Sequence, residues 1–234
     1  GVVTLTGVGF KISFIVTSTA LDLATHVTAW LPVWVMSTQA LTLFFTLVLT
    51  AFVCVLMGCG IPTTATYIIM VTVAAPTLGL LGVEPIVAHF FVFYYGVLAD
   101  ITPPVAIAAY AAAGMAGADP FRTGNTAFRL ALGKALVPFV FVFSPSLLLV
   151  VKTFSWSELL LALTGCVTGI VFLSAAFSKY LITHTRTWER LALAVAALLL
   201  IAPEAWSSLI GLLCAAPVLA AQWMRREAAP LPAA

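Results

Sequence analysis

The sequence predicts an all-α integral membrane protein, a polytopic helical bundle with a re-entrant hairpin and a discontinuous transmembrane helix. Three observations carry that prediction. Of 234 residues, 63% are hydrophobic and 8% charged, and the mean hydropathy is +1.17, which no soluble domain of this length approaches. Uncharged runs recur: no Asp, Glu, Lys or Arg stands between Asp22 and Glu84, nor in 135–151, 159–178 or 191–203. The alternation of a membrane barrel is absent, which leaves helices as the way to satisfy the backbone in lipid. Finally, two apolar segments are interrupted by Gly/Thr/Pro clusters, Gly58-Cys59-Gly60-Ile61-Pro62-Thr63-Thr64 and Asp100-Ile101-Thr102-Pro103-Pro104. Proline removes a backbone donor and clashes with the preceding turn, and glycine admits backbone angles closed to other residues. Each cluster therefore ends one helix and starts another.

Taken in order, residues 1–6 read as the end of a helix begun upstream, and Gly7, Gly9 and Lys11 as an exit to the membrane surface. The stretch 12–32 is apolar but punctuated by Thr, Asp22 and His26. With Trp30 and Trp34 it reads as a segment at headgroup level, or else as an ordinary span. Residues 38–57 form a helix that stops at Gly58, and 64–81 carry the chain away. Either these are two full spans around a tight turn, or they are the arms of a re-entrant hairpin with its tip at 58–66. The tip has small residues and hydroxyls but neither the charge nor the Asn usual in a surface turn, which favours the hairpin. After the turn Gly82-Val83-Glu84-Pro85, half-helices 86–99 and 105–115 together make one tilted crossing at about 1.5 Å per residue. Residues 117–134 are the first polar stretch, and 135–151 span with Pro138 and Pro145 as kinks. Then 159–178 span again, and 191–202 and 206–223 form a last helical pair. Loops 117–134 and 179–190 and the tail at Arg225 hold most of the basic residues and are expected in the cytoplasm, with Glu84, 152–158 and 203–204 outside.

The net charge of +2 comes from residues beside the apolar spans, where it sets topology and implies no nucleic-acid surface. Cys54, Cys59, Cys166 and Cys214 form no CxxC pair and read as soft packing residues; no Walker loop, nucleophile elbow or zinc motif occurs. His26 reads as an interfacial side chain, and His89, Tyr94 and Tyr95 as bundle packing. The chemistry that remains lies at the two breaks. A helix that stops inside the membrane bares carbonyl oxygens, which favour a cation, and the next begins with bare amides, which favour an anion. At the first break the end of helix 38–57 and Gly58 offer carbonyls, while Thr63, Thr64 and Thr66 add hydroxyls. At the second, Ala99, Asp100 and Thr102 offer oxygens and one carboxylate. All-oxygen ligation without several carboxylates suits Na⁺ better than Ca²⁺ or Zn²⁺. The amides of Thr63, Thr64 and Ile101–Thr102 suit a carboxylate. Each residue also has a duller explanation, since Thr in apolar helices bonds back to the preceding turn, Pro kinks helices, and Asp100 can cap the second half-helix.

Four runs carry a resemblance. They are Gly58-Cys59-Gly60-Ile61-Pro62-Thr63-Thr64-Ala65-Thr66-Tyr67, Ala88-His89-Phe90-Phe91-Val92-Phe93-Tyr94, Asp100-Ile101-Thr102-Pro103-Pro104-Val105-Ala106 and Ala116-Gly117-Ala118-Asp119-Pro120. In this order they resemble the large membrane subunit of tripartite ATP-independent periplasmic (TRAP) transporters, nearest to the fused permeases that work with TAXI-type binding proteins. The resemblance covers about residues 1–150. It implies Na⁺-driven uptake of a small organic acid across a prokaryotic inner membrane, delivered by a soluble periplasmic binding protein, with no cofactor beyond the coupling ion. It also implies an elevator-type fold of two inverted repeats, of which this sequence supplies the second, the first lying in an upstream half of the same permease. On that pattern, 1–37 end an upstream helix and run along the interface. Residues 38–150 form the transport repeat, with hairpin 38–81, broken helix 86–116 and helix 131–151, and 152–234 add about three helices and a short tail. Carried over, Gly58, Gly60, Pro62 and Thr63 fall on the hairpin tip and Thr102, Pro103 and Pro104 on the broken helix. The implied Na⁺ site, beside the substrate, uses Gly58, Gly60, Thr63 and Thr102. Cys59 departs from the pattern, where a bulky apolar residue such as Met is usual. Two other readings are weighed against transport: a membrane scaffold or assembly subunit whose breaks serve packing, and an intramembrane hydrolase using Asp100, for which no second acid lies at comparable depth.

Overall fold

A computed structural model describes residues 7–29, 38–149, 154–201 and 205–227. The expectations for 1–6, Trp30, Trp34, Lys152 and Pro203-Glu204 lie outside these residues. Among the described residues the regular elements are helices, and the chain divides into two compact units, Gly1–Gly124 and Asn125–Ala234. Among the described residues, four helices are long and apolar enough to cross a membrane.

The first unit opens with α1 (Val8–Thr28). Gly9 and Lys11, expected as an exit, lie in its first turn, and Gly7 precedes it with φ +64°. The hydroxyls and the imidazole that punctuate the stretch bond back to the helix itself. The Thr17, Thr25 and Thr28 hydroxyls donate to Ser13 O, Asp22 O and Ala24 O at 2.9 Å, and His26 Nδ1 lies 2.7 Å from Asp22 O. α1 packs through Val16, Ala20 and Ala24 on α2 (Thr38–Gly58) and α3 (Thr63–Leu80). Ser13 also donates its hydroxyl proton to Val73 O of α3 at 2.7 Å. Arms α2 and α3 measure about 31 and 27 Å at about 1.5 Å per residue, so each matches a full crossing as well as a hairpin arm.

The turn after α3 is dictated locally. Gly82 takes φ +84°, a left-handed conformation that glycine adopts without penalty, and Val83 N–H returns to Leu78 O at 3.1 Å. Pro85 then opens α4 (Pro85–Ala99), where its missing N–H is no loss. α4 packs on both α2 and α3, and Val87, Phe91 and Val92 of α4 are fully buried, as are Leu47 of α2 and Leu78 of α3. α5 (Ile107–Ala116) follows the second break and ends at Gly117, φ +64°. The polar stretch that follows is largely helical. α6 (Pro120–Ala131) begins with Pro at its first position, and Asp119 Oδ1 accepts the Arg122 N–H at 2.7 Å.

The second unit starts within α6. Where a single helix over 131–151 is expected, the chain makes a 3₁₀ turn at Gly133–Leu136, a short α7 (Val137–Phe143) and another 3₁₀ turn at Pro145–Leu148. Segments Pro120–Ala131 and Gly133–Phe143 meet at 42°. Gly133 stands at the change of direction and lets the chain approach α8 closely, because any Cβ there would collide with the Ser174 side chain. Pro145 follows Ser144, whose backbone has already left the helix, and stops α7 there. Three helices complete the unit: α8 (Trp156–Ser178), α9 (Thr187–Ile201) and α10 (Ala205–Glu227). They pack through small residues, since Gly165, Gly169 and Gly211 bring Leu200 O, Ala197 O and Ala196 O to 2.7, 3.4 and 3.0 Å of where a Cβ would stand.

Candidate functional site

Both breaks lie in the first unit, and each is a short stretch of unwound chain. α2 ends at Gly58, after which Cys59 N–H and Ile61 N–H make long bonds of 3.3 Å to Leu56 O and Gly58 O. Gly60 turns the chain at φ +81°, and extended Pro62 precedes α3. Thr66, buried one turn into α3, gives its N–H to Pro62 O at 3.0 Å and its hydroxyl proton to Ile61 O at 3.4 Å. The amides of Thr63 and Thr64, at the first two helical positions, precede any acceptor of their own helix. Thr63 is half-buried; Pro62, Thr64 and Gly60 are exposed.

The second break is more tightly bonded. Asp100, Ile101 and Thr102 donate their amides to Val97 O, Leu98 O and Ala99 O at 3.3, 3.3 and 3.0 Å. The expected role of the Ile101 and Thr102 amides as carboxylate donors is thereby corrected, because both protons are committed to the end of α4. Asp100 O accepts from Ala108 N–H at 3.2 Å, and Pro104 O accepts from the Tyr110 hydroxyl at 2.9 Å. The Pro103–Pro104 peptide is cis, and buried Ala106 takes φ +35°, a left-handed angle rare outside glycine. Thr102 is buried, and its hydroxyl donates to Leu98 O at 2.8 Å. That bond occupies its proton and leaves oxygen lone pairs free to face a cation. Asp100 is half-buried, and its carboxylate has no hydrogen-bond or ion-pair partner among the described residues.

These two stretches adjoin. A Cβ at Gly58 would stand 2.6 Å from Ala99 Cβ, 3.2 Å from Thr66 Cγ2 and 3.6 Å from Gly96 O. One at Gly60 would lie 3.7 Å from Val105 Cγ1. The contact thus runs through Gly58, Gly60 and Thr66 on one side and Gly96, Ala99 and Val105 on the other. The sequence reading did not single out Gly96 or Val105; the small-residue pair Gly96 and Ala99, one turn apart at the end of α4, is the signal that identifies the receiving face. The oxygens carried by the two breaks are of low formal charge, with one carboxylate at Asp100, a donor set whose chemistry suits a monovalent cation. Groups of three or more His, Cys, Asp or Glu able to hold a metal do not occur among the described residues.

His89 does more than pack. Its Nδ1 lies 2.7 Å from the Tyr67 hydroxyl and ties α4 to α3, beside an open hollow of about 260 Å³ lined by Tyr67, His89, Phe90 and Phe93. None of the break residues lines it.

Comparison with protein-family models matches residues 1–156 to the tripartite ATP-independent periplasmic transporter, DctM component. Searches among curated proteins and among solved structures found no match. The matched stretch includes both breaks.

Proposed function

Because this chain belongs to the DctM family of tripartite ATP-independent periplasmic transporter components, we propose that it forms the part of the permease that couples Na⁺ entry to uptake of a small organic acid. The acid arrives on a periplasmic binding protein of the TAXI type, and the permease sits in the inner membrane of a prokaryote. One observation carries this reading: Gly58, at the end of α2, lies directly against Gly96 and Ala99 at the end of α4. In this reading the two adjoining helix C-termini turn their carbonyl dipoles, with the Thr66 and Thr102 oxygens and the Asp100 carboxylate, toward one corner. Na⁺ is drawn to that oxygen-rich, net negative corner. The substrate carboxylate is held next to it by the Thr63 and Thr64 amides, each ligand offsetting the charge of the other. In this reading α2 and α3 act as a re-entrant hairpin, with Gly60 at its tip.

The back-bonded hydroxyls of Thr66 and Thr102 are also what a purely structural break would display, so the scaffold reading is tested alongside. The experiment is uptake of candidate organic acids by the full-length permease reconstituted with its binding protein, with and without an inward Na⁺ gradient. The expected result is Na⁺-dependent uptake that falls severely in Thr102→Ala, through a lost ligand, and in Gly60→Leu, through a blocked tip. Uptake indifferent to the Na⁺ gradient removes the ion coupling. Uptake untouched by both substitutions leaves the breaks structural.

A further inference from the structure

Three helix ends come together at one end of the second unit: the C-terminus of α8, the N-terminus of α9 and the C-terminus of α10. The α8–α9 loop is fastened to α10, because the Ile182 and Thr183 amides donate to Gln222 Oε1 at 3.1 and 3.4 Å. Gln222 Nε2 donates onward to Glu189 Oε2 at 3.1 Å, and Arg225 Nη2 reaches both Glu189 oxygens at 2.6 and 2.8 Å. Glu189 is fully buried, so its charge is neutralised inside the knot and does not face outward. Arg190 is likewise committed, its Nε donating to Ala176 O at 2.7 Å.

What faces outward is basic and aromatic. Lys179, Arg186 and Arg226 are exposed, as are the rings of Tyr180, Trp188 and Trp223, and the Arg226 guanidinium lies 5.7 Å from the Trp223 ring. Stretches 179–190 and 222–227 hold five basic residues, Lys179, Arg186, Arg190, Arg225 and Arg226, against Glu189 and Glu227, a net charge of +3. α8 and α10 are both long and apolar enough to cross a membrane, so this is the level at which spanning helices leave the hydrocarbon. Exposed Trp and Tyr at such a level are the mark of the headgroup region, and cations there attract anionic lipid.

We propose that this face is a docking site for anionic phospholipid. Lys179, Arg186 and Arg226 take the headgroup phosphate, and Trp188 and Trp223 sit beside the glycerol backbone. The buried Glu189–Arg225 pair with Gln222 holds the loop that presents Lys179 and Arg186. The inference rests on the second unit alone and does not depend on the reading of the breaks.

The test is the melting temperature of the full-length protein in neutral detergent with phosphatidylglycerol, phosphatidylcholine or inorganic phosphate added. Phosphatidylglycerol is expected to raise it well above the value in phosphatidylcholine. The triple variant Lys179→Asn, Arg186→Gln, Arg226→Gln loses most of that increment, whereas Arg122→Gln with Arg129→Gln keeps it. Asn suits the left-handed angle at position 179, φ +64°. Should the triple variant fail to fold, the pair Arg186→Lys and Arg226→Lys, expected to keep the increment, and Arg186→Glu with Arg226→Glu, expected to lose it, carry the test. Equal shifts with both lipids, a shift reproduced by inorganic phosphate, or neutralised variants that respond as the unaltered protein does overturn the proposal.

Discussion

Two glycines two positions apart meet different demands. Gly58 is needed for space, because Ala99 Cβ and Thr66 Cγ2 leave no room for a methyl group, whereas Gly60 is needed for its φ of +81° and has only Val105 at ordinary contact distance. Gly58→Ala is therefore expected to cost about 1–3 kcal/mol by overpacking a contact between two helix ends. Gly60→Ala is expected to cost about 1 kcal/mol through its left-handed backbone. Gly114, inside α5 with nothing within 4 Å of a Cβ, supplies the contrast, and Gly114→Ala gains about 0.5–1 kcal/mol from helix propensity. Melting temperatures of the three variants check the order; equal losses at positions 58 and 114 would contradict the packing explanation. The need for a glycine at 58 was visible in the sequence, but not its reason, since Ala99 is 41 positions away and only the fold brings it near.

Elements were legible where their determinants are local. Both breaks fall where proline and glycine forbid a continuing helix, and the turn at Gly82 and the start of α4 at Pro85 follow from the same chemistry. For 131–151 the prolines announce an interrupted span, but the 3₁₀ turns on either side of α7 are not legible in its apolar pattern, and the close contact of Gly133 with Ser174 is tertiary. For α1 the sequence leaves both an interfacial segment and an ordinary span open, because Thr, Asp and His interrupt its apolar run; the hydroxyls and the imidazole bond back to the helix, so the helix itself is continuous. The α8–α9 loop is another element fixed at long range, through Glu189. Burial works hardest against ionisation of that carboxyl, but bonds from Arg225, the Arg186 amide and Gln222, with the charge of Arg225, together hold it below its ordinary value of 4.5. A lowered folded-state value means that the pair stabilises the protein above 4.5 and that this contribution drains away as pH falls through the folded-state value. The melting temperature is thus expected to drop on acidification from about pH 6 to pH 3, and Glu189→Gln to flatten that part of the drop. At neutral pH Glu189→Gln is expected to cost about 2–3 kcal/mol. An unchanged acid profile in the variant would show that other carboxyls govern it.

At the scale of the molecule, packing divides the chain at Gly124/Asn125, while the family match runs on to residue 156. The boundary expected near 151 is one of role, set by the resemblance. Packing follows another line, because α7 and its flanking turns associate with α8. Within the first unit α2 and α4 meet at their C-termini, and the proposed transport stands on Na⁺ binding there. Equilibrium binding of radiolabelled Na⁺ to the purified full-length permease tests it most directly, with Thr102→Ser and Thr102→Ala compared. Serine keeps the oxygen and its bond to Leu98 O, so near-normal saturable binding is expected, whereas alanine removes the ligand and weakens binding about tenfold, equivalent to about 1.4 kcal/mol. Identical Na⁺ binding in both variants and the unaltered protein would contradict the account.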